Sequence, residues 1–162
     1  MSARPRLRVL PNPSDHVPDV RFCGYCGERP AEDDEHRVCG SCDMGLMLTA
    51  SGVIAPELGQ ASIVIDHTLA VCAVSRAAEE LLGISEVDMV DRALGEVLVP
   101  AQAEGAGLES LVAAVMTAAA WGEAPQRAVV RPAGEWGIRY AVRIGACGPP
   151  RAVLLVLDDD LV

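Results

Sequence analysis

Four cysteines set in two close pairs constrain this chain more than any other feature. Cys23-x-x-Cys26 and Cys39-x-x-Cys42 are separated by twelve residues, within the stretch Phe22–Gly45 (FCGYCGERPAEDDEHRVCGSCDMG). A Cys-x-x-Cys turn lets successive amides point at the sulfurs, and glycine accepts the positive φ that such a turn requires. Gly24 lies inside the first pair, Gly27 follows it directly, and Gly40 lies inside the second. Two such turns supply four thiolates, a complete tetrahedral shell for one metal ion. About 25 residues with few apolar side chains cannot bury enough surface to fold alone, so the metal has a structural task.

In knuckle and spacing this stretch resembles a zinc ribbon. A structural zinc contributes roughly 10–16 kcal/mol of apparent binding free energy, comparable to the stability of an ordinary domain. The expected ligands are Cys23, Cys26, Cys39 and Cys42, with structural zinc as the cofactor. A rubredoxin-like iron site uses similar knuckles and stays open as an alternative, because ligand type alone does not choose the metal. A dithiol redox pair would need a thioredoxin-like βαβ context, and a catalytic zinc an open coordination position; the sequence offers neither. His36 then has nothing to coordinate and is expected at the surface. The Glu32-Asp33-Asp34-Glu35 run reads as a solvated loop tip that would repel phosphates.

The totals exclude several classes of function. The formal net charge is −10 and every basic residue is arginine. That balance argues against broad nucleic-acid or anionic-membrane binding, which needs concentrated positive charge. Arginine-only basic usage with abundant Ala, Gly and Val is also a compositional mark of a GC-rich, bacterial genome. No run approaches the roughly 20 apolar residues of a membrane span, and Met1–Arg21 lacks the layout of a signal peptide. The expectation is a cytoplasmic protein in which paired cysteines hold metal rather than disulfides. Residues 1–21, with prolines at 5, 11, 13 and 18, read as a flexible arm, and 46–60 as a connector. The connector opens with an apolar patch, Leu46, Met47 and Leu48, that packs the ribbon on the main domain or makes a dimer contact.

From Ala61 onward the pattern is that of a mixed α+β domain. Ser62–Asp66 and Leu69–Val74 are short and β-branched, and they read as a hairpin turned by Asp66-His67-Thr68. Ser75 is placed to cap a helix over Arg76–Leu82 that stops at Gly83. Ser85 with Asp88 marks a second short helix, and Asp91–Leu98, ended by Pro100, a third. Gly107–Trp121 is the longest helix, with Leu108, Leu111, Val112, Val115 and Ala119 on one stripe. Three strands remain: Gln126–Arg131, Glu135–Ala146 and Arg151–Leu157. The second alternates, with Trp136, Ile138, Tyr140, Val142 and Ile144 on one face.

This order, together with Ile63-Val64-Ile65-Asp66, the strand ending Ala73-Val74-Ser75 and the helix Arg76-Ala77-Ala78-Glu79-Glu80-Leu81-Leu82-Gly83, resembles a PAS domain over residues 61–159. In that family the last stretch often reads Asn-x-Ala-x-x-x-Leu-x-Gly; here Ser75 stands for Asn, and both side chains cap helices. The resemblance implies a five-stranded antiparallel sheet with short helices and one longer helix on one face. It also implies a small pocket between sheet and helices, and a role in ligand sensing or dimerisation.

The residues narrow the ligand only by exclusion. Cys72 lies in a strand and Cys147 in a Gly/Pro turn, so neither sits in the helix a flavin photosensor would use, and no histidine lies between Gly83 and Gly122 for a haem. With no flavin or haem signature, the pocket ligand is left unassigned. His67 reads as an exposed turn residue, Cys72 as a small buried hydrophobe and Cys147 as the better candidate for modification. Trp121 and Trp136 are expected to fill the core. No carboxylate pair, Ser-His-Asp set, phosphate loop or HExxH motif occurs, so the sequence points to no enzyme. The expected function is a sensor or adaptor with a protein partner, a homodimer through the PAS-like domain included. A DNA-associated transcriptional regulator using the ribbon and the arginine arm, and an iron-containing redox protein, stand as alternatives.

Overall fold

A computed structural model of the protein describes residues 17–101, 107–120 and 124–161. Their architecture is mixed α+β, built on one curled antiparallel sheet of eight strands among the described residues. The chain opens with β1 (Asp19–Cys23) and β2 (Met47–Ser51), which pair with each other. Next come β3 (Ala61–Ile65) and β4 (Val71–Val74), then three short helices, α1 (Arg76–Leu82), α2 (Glu86–Met89) and α3 (Leu94–Val97). After β5 (Leu98–Pro100) and the longer α4 (Gly107–Ala118), the chain ends in β6 (Gln126–Pro132), β7 (Tyr140–Gly148) and β8 (Ala152–Leu161). The sheet order is β1-β2-β7-β8-β3-β4, while β6 lies along the other stretch of the β7 edge and β5 pairs with β6.

Local chemistry explains the elements that were expected. Asp66 turns the β3–β4 hairpin, its carboxylate accepting from Thr68 N–H (2.8 Å), Thr68 Oγ1 (2.7 Å) and Ala70 N–H (3.1 Å). Ser75 Oγ accepts from Ala78 N–H at 3.2 Å and so caps α1. It also accepts from Ser62 N–H at 2.8 Å, which ties the helix start to β3. Gly83 closes α1 at φ 66°, its N–H reaching the Glu79 carbonyl.

Strand alternation divides the sheet's side chains between two cores. Ile63, Ile65, Val142, Ile144, Leu155 and Leu157 face the helices and meet Met89, Leu94, Leu111 and Val115. On the other face Val64, Cys147, Leu154 and Val156 meet Phe22, Leu48 and Ala50 of the N-terminal strands, with Ile54 and Ala55 just after them.

Five expectations are corrected. Residues 46–60 are not only a connector: Met47–Ser51 is β2, and through Thr49↔Gly148 and Ala50↔Cys147 it joins the ribbon to the main sheet. The arm likewise ends earlier than expected, because Asp19–Arg21 belongs to β1; residues 1–16 lie outside the described residues. The third helix is confined to Leu94–Val97, and Leu98–Pro100 is a strand, where Pro100 sits at an end and removes no central hydrogen bond.

The last two corrections concern α4 and β7. Helix α4 is described to Ala118, with Leu111, Val115 and Ala118 buried; Trp121 lies outside the described residues. Strand β7 begins at Tyr140, and the apparent alternation before it is a loop, with Gly134 at φ 86°. Trp136 is therefore 72% exposed instead of in the core, and its ring lies 3.9 Å from the Arg131 guanidinium.

Candidate metal centre

The four sulfurs converge at the junction of β1 and β2. Cys23 ends β1, Cys26 follows on the next turn, and Cys39 and Cys42 lie on the hairpin that leads into β2. The Cys23 and Cys42 sulfurs are 3.7 Å apart and those of Cys26 and Cys39 3.8 Å apart. All four lie within 4.8 Å of one another. A regular tetrahedron with metal–sulfur bonds of about 2.3 Å has edges of about 3.8 Å. The separations also exceed the roughly 2.05 Å of a disulfide, and all four cysteines are free. The set is close enough to bind a metal, and its donors suit a thiophilic ion.

The two knuckles are near copies. Gly27 N–H closes on the Cys23 carbonyl at 3.0 Å, and Asp43 N–H closes on the Cys39 carbonyl at 2.9 Å. The closing residues carry the positive φ, Gly27 at 77° and Asp43 at 56°. Gly40 is thus not the residue that makes the second turn possible; Asp43 takes that conformation, which aspartate tolerates better than most residues. Amides of Tyr25 and Cys26 aim at Cys23 Sγ, that of Ser41 at Cys39 Sγ and that of Gly45 at Cys42 Sγ, each at 3.4 Å. Such donors stabilise thiolate over thiol.

Without a metal the cluster is electrostatically uneven. Burial pushes the Cys23 thiol up to about 12 and raises that of Cys26. Cys42 goes the other way, to about 7, because the amides of Gly45 and Met44 and its thiol neighbours together outweigh its burial. A bound dication would remove the conflict, with Cys23, Cys26, Cys39 and Cys42 holding it as thiolates.

Four features of the centre escaped the sequence reading. Gly45 is needed for space, since a Cβ there would stand 2.2 Å from Cys23 Sγ. Arg21 donates to the carbonyls of Asp34 and His36, so the acidic insert is pinned to β1. Tyr25 ties the first knuckle to α1: its carbonyl accepts from Arg76 N–H at 2.9 Å and its hydroxyl contacts Glu79 Oε2 at 3.2 Å. The Arg76 guanidinium lies 5.3 Å from the centre of the Tyr25 ring, which places a cation at the same junction. A tyrosine inside the Cys-x-x-Cys turn was the available signal for that link; Gly45 and Arg21 left none, since their partners are distant in sequence.

The other singled-out residues fall elsewhere. His36 and His67 are exposed, and His67 lines a cleft of about 600 Å³ with Leu69, Met116 and Arg151. A second cleft, of about 480 Å³, lies on the other side of α4 between Leu111, Ala114, Arg127 and Arg143. The expectations for the two remaining cysteines are reversed. Cys72 is exposed, as the extra residue of a β-bulge in β4 between the pairs Val64↔Ala73 and Ile65↔Val71. Cys147 lies in β7, 0% exposed, because the turn begins only at Pro149 and the ribbon covers that face. Partial desolvation of its sulfur against the sheet and the nearby Asp66 carboxylate push the Cys72 thiol up to about 11, and burial pushes that of Cys147 up to about 12, so neither is an activated nucleophile.

Among the described residues no helix is long and apolar enough to cross a membrane. In comparisons with known proteins, the chain matches no family model and no curated protein.

Proposed function

We propose that the chain is a non-enzymatic signalling sensor or adaptor, in which a PAS-like domain over residues 61–159 is joined to a ribbon that carries structural zinc and makes protein contacts. The convergence of four free thiols at tetrahedral spacing, beneath amides aimed at three of them, carries this reading. Cys23, Cys26, Cys39 and Cys42 would hold the ion, which supplies a cross-link between the ends of β1 and β2. The PAS-like part is supported by five strands, β3, β4, β6, β7 and β8, paired antiparallel, with α1 to α4 lying between β4 and β6 in the chain and packed on one face. The clefts beside α4 are where a small ligand would enter.

Native mass spectrometry of freshly purified protein tests the proposal. One bound zinc per chain is expected, released when four cysteines are modified, in a sample without visible absorbance. A coloured iron species would replace zinc by iron in this reading. A metal-free chain that keeps its fold would remove the structural metal from it.

A further inference from the structure

The helix-facing core draws its buried residues from Ala61 onward, with no contribution from the ribbon. The opposite face is different: Val64, Cys147, Leu154 and Val156 are shielded by Phe22, Leu48 and Ala50 of β1 and β2, together with Ile54 and Ala55 just beyond β2. Strand β2 is fastened to the sheet by a short register, Thr49↔Gly148 and Ala50↔Cys147. Between β1 and β2 the chain leaves the sheet for residues 24–46, and the small buried cluster there joins Cys39 to Cys23 and Met47 at the strand ends, flanked by Tyr25, Cys26 and Cys42. Besides those sulfurs the loop is held by hydrogen bonds, Gly24 N–H to the Leu46 carbonyl, Met47 N–H to that of Arg37, and Arg21 to the carbonyls of Asp34 and His36, with few apolar side chains behind them. A two-stranded ribbon with no closed loop is marginal in water.

The segment after β2 is held separately. Arg143 donates to the Val53 carbonyl at 2.8 Å and to Gln60 Oε1 at 3.0 Å, and Gln60 donates to Asp158 at 2.7 Å. These bonds do not pass through the cysteines, so residues 53–60 have an anchor that the ribbon lacks.

We propose that the metal centre holds the β1–β2 ribbon as a releasable cover, and that loss of the metal uncovers an apolar sheet surface around Cys147 while the helix-facing core stays folded. The inference rests on the four-thiol metal reading. Release swings the ribbon about Ser51–Val53, where the Arg143 anchor begins. It also withdraws the Tyr25 carbonyl from Arg76 N–H and the Tyr25 hydroxyl from Glu79. The state of the metal is thereby passed to the start of α1 in the PAS-like domain.

The chain carries its own reporters. Cys147 is fully buried under the cover, and Cys72, on β4 outside the ribbon, is already exposed with the cover closed. Cleavage after arginine isolates Cys147 in the peptide Ile144–Arg151, apart from every other cysteine. The experiment treats the full chain with iodoacetamide, with and without a zinc chelator, and follows metal content, labelling of each cysteine and amide exchange in β3 and β8. In the metal-loaded protein Cys72 is labelled and Cys147 is not. After chelation Cys147 labels at least roughly tenfold faster while the amides of Ile63 and Leu155 keep their protection, as a local opening requires.

Three results overturn the inference, and they are distinguishable. If metal leaves and the four ligands label but Cys147 stays protected, the cover does not open, and the metal reading stands. If Cys147 and the β8 amides lose protection together, the metal holds the whole domain and no separate cover exists. If no metal is bound at the start, the inference falls together with the reading it rests on.

Discussion

Two glycines beside the second cysteine pair separate a steric account of the metal centre from a merely conformational one. A Cβ on Gly45 would lie 2.2 Å from Cys23 Sγ, 2.8 Å from Tyr25 Cβ and 3.0 Å from Tyr25 N. A Cβ on Gly40 would meet nothing within 4 Å. In Gly45→Ala the sulfur must retreat by about 1 Å to reach an ordinary contact, whereas a metal–sulfur bond tolerates deviations of only about 0.2 Å. Nor can the backbone yield freely, because Gly45 accepts from Cys39 N–H at 2.8 Å and donates to Cys42 Sγ at 3.4 Å. Overpacking of a filled site costs about 1–3 kcal/mol, so metal affinity should fall roughly 5- to 150-fold. Competition with a chromophoric chelator measures it directly. Gly40→Ala, in the same assay, should bind as the unaltered protein does. Equal affinity for Gly45→Ala and the unaltered chain would refute the argument, as would a comparable loss in Gly40→Ala.

Other residues give further tests. Ser75→Ala removes the cap on α1 and leaves the Ser62 N–H without its acceptor in a buried site; a loss of about 2–3 kcal/mol in denaturant titration is expected. Ser85→Ala, which removes no capping bond to α2, should change stability by about 0.5 kcal/mol or less. The Thr68 hydroxyl, with the amides of Ala70 and Thr68, holds the Asp66 carboxyl below its ordinary value. Its contribution is therefore full above the unfolded pKa of about 3.9 and is lost as pH falls through the lower folded value. Asp66→Asn should narrow the gap to the unaltered protein as pH drops through that window, and a gap that widens there would contradict the sign. Trp136→Ala should cost about 2 kcal/mol or less, the scale of a cation–π contact to a buried guanidinium; a loss of 3 kcal/mol or more would place the ring in a core.

What the sequence disclosed was chemistry confined to a few adjacent residues. The Cys-x-x-Cys pairs carry their geometry in their spacing, and the Asp66 turn, the Ser75 cap and the Gly83 stop each act within four residues. What it concealed depended on distant partners. Met47–Ser51 looks like connector because its strand character comes from pairing with Asp19–Cys23 on one side and β7 on the other. Leu98–Pro100 continues an apolar helix in the sequence, and only pairing with β6 makes it a strand. A sheet read as five strands therefore has eight among the described residues, with β1, β2 and β5 added. The exposure of the two lone cysteines was inverted for the same reason: a bulge turned Cys72 out, and a segment about 100 residues earlier covered Cys147.

On the proposed reading, the ribbon's attachment and its metal differ greatly in strength. Phe22 and Leu48 are the large ribbon side chains fully packed in the second core, at 0% and 4% exposure. Each contributes roughly 1.5–3 kcal/mol on burial, whereas a structural zinc in a comparable setting contributes roughly 10–16 kcal/mol. The metal term exceeds the docking term even at the unfavourable ends of both ranges. A chain that needed only to cover Leu154 and Val156 would do so more simply with a longer apolar strand. A cover placed under four thiols would close conditionally on metal and thiol chemistry, while the helix-facing core draws its buried residues from Ala61 onward.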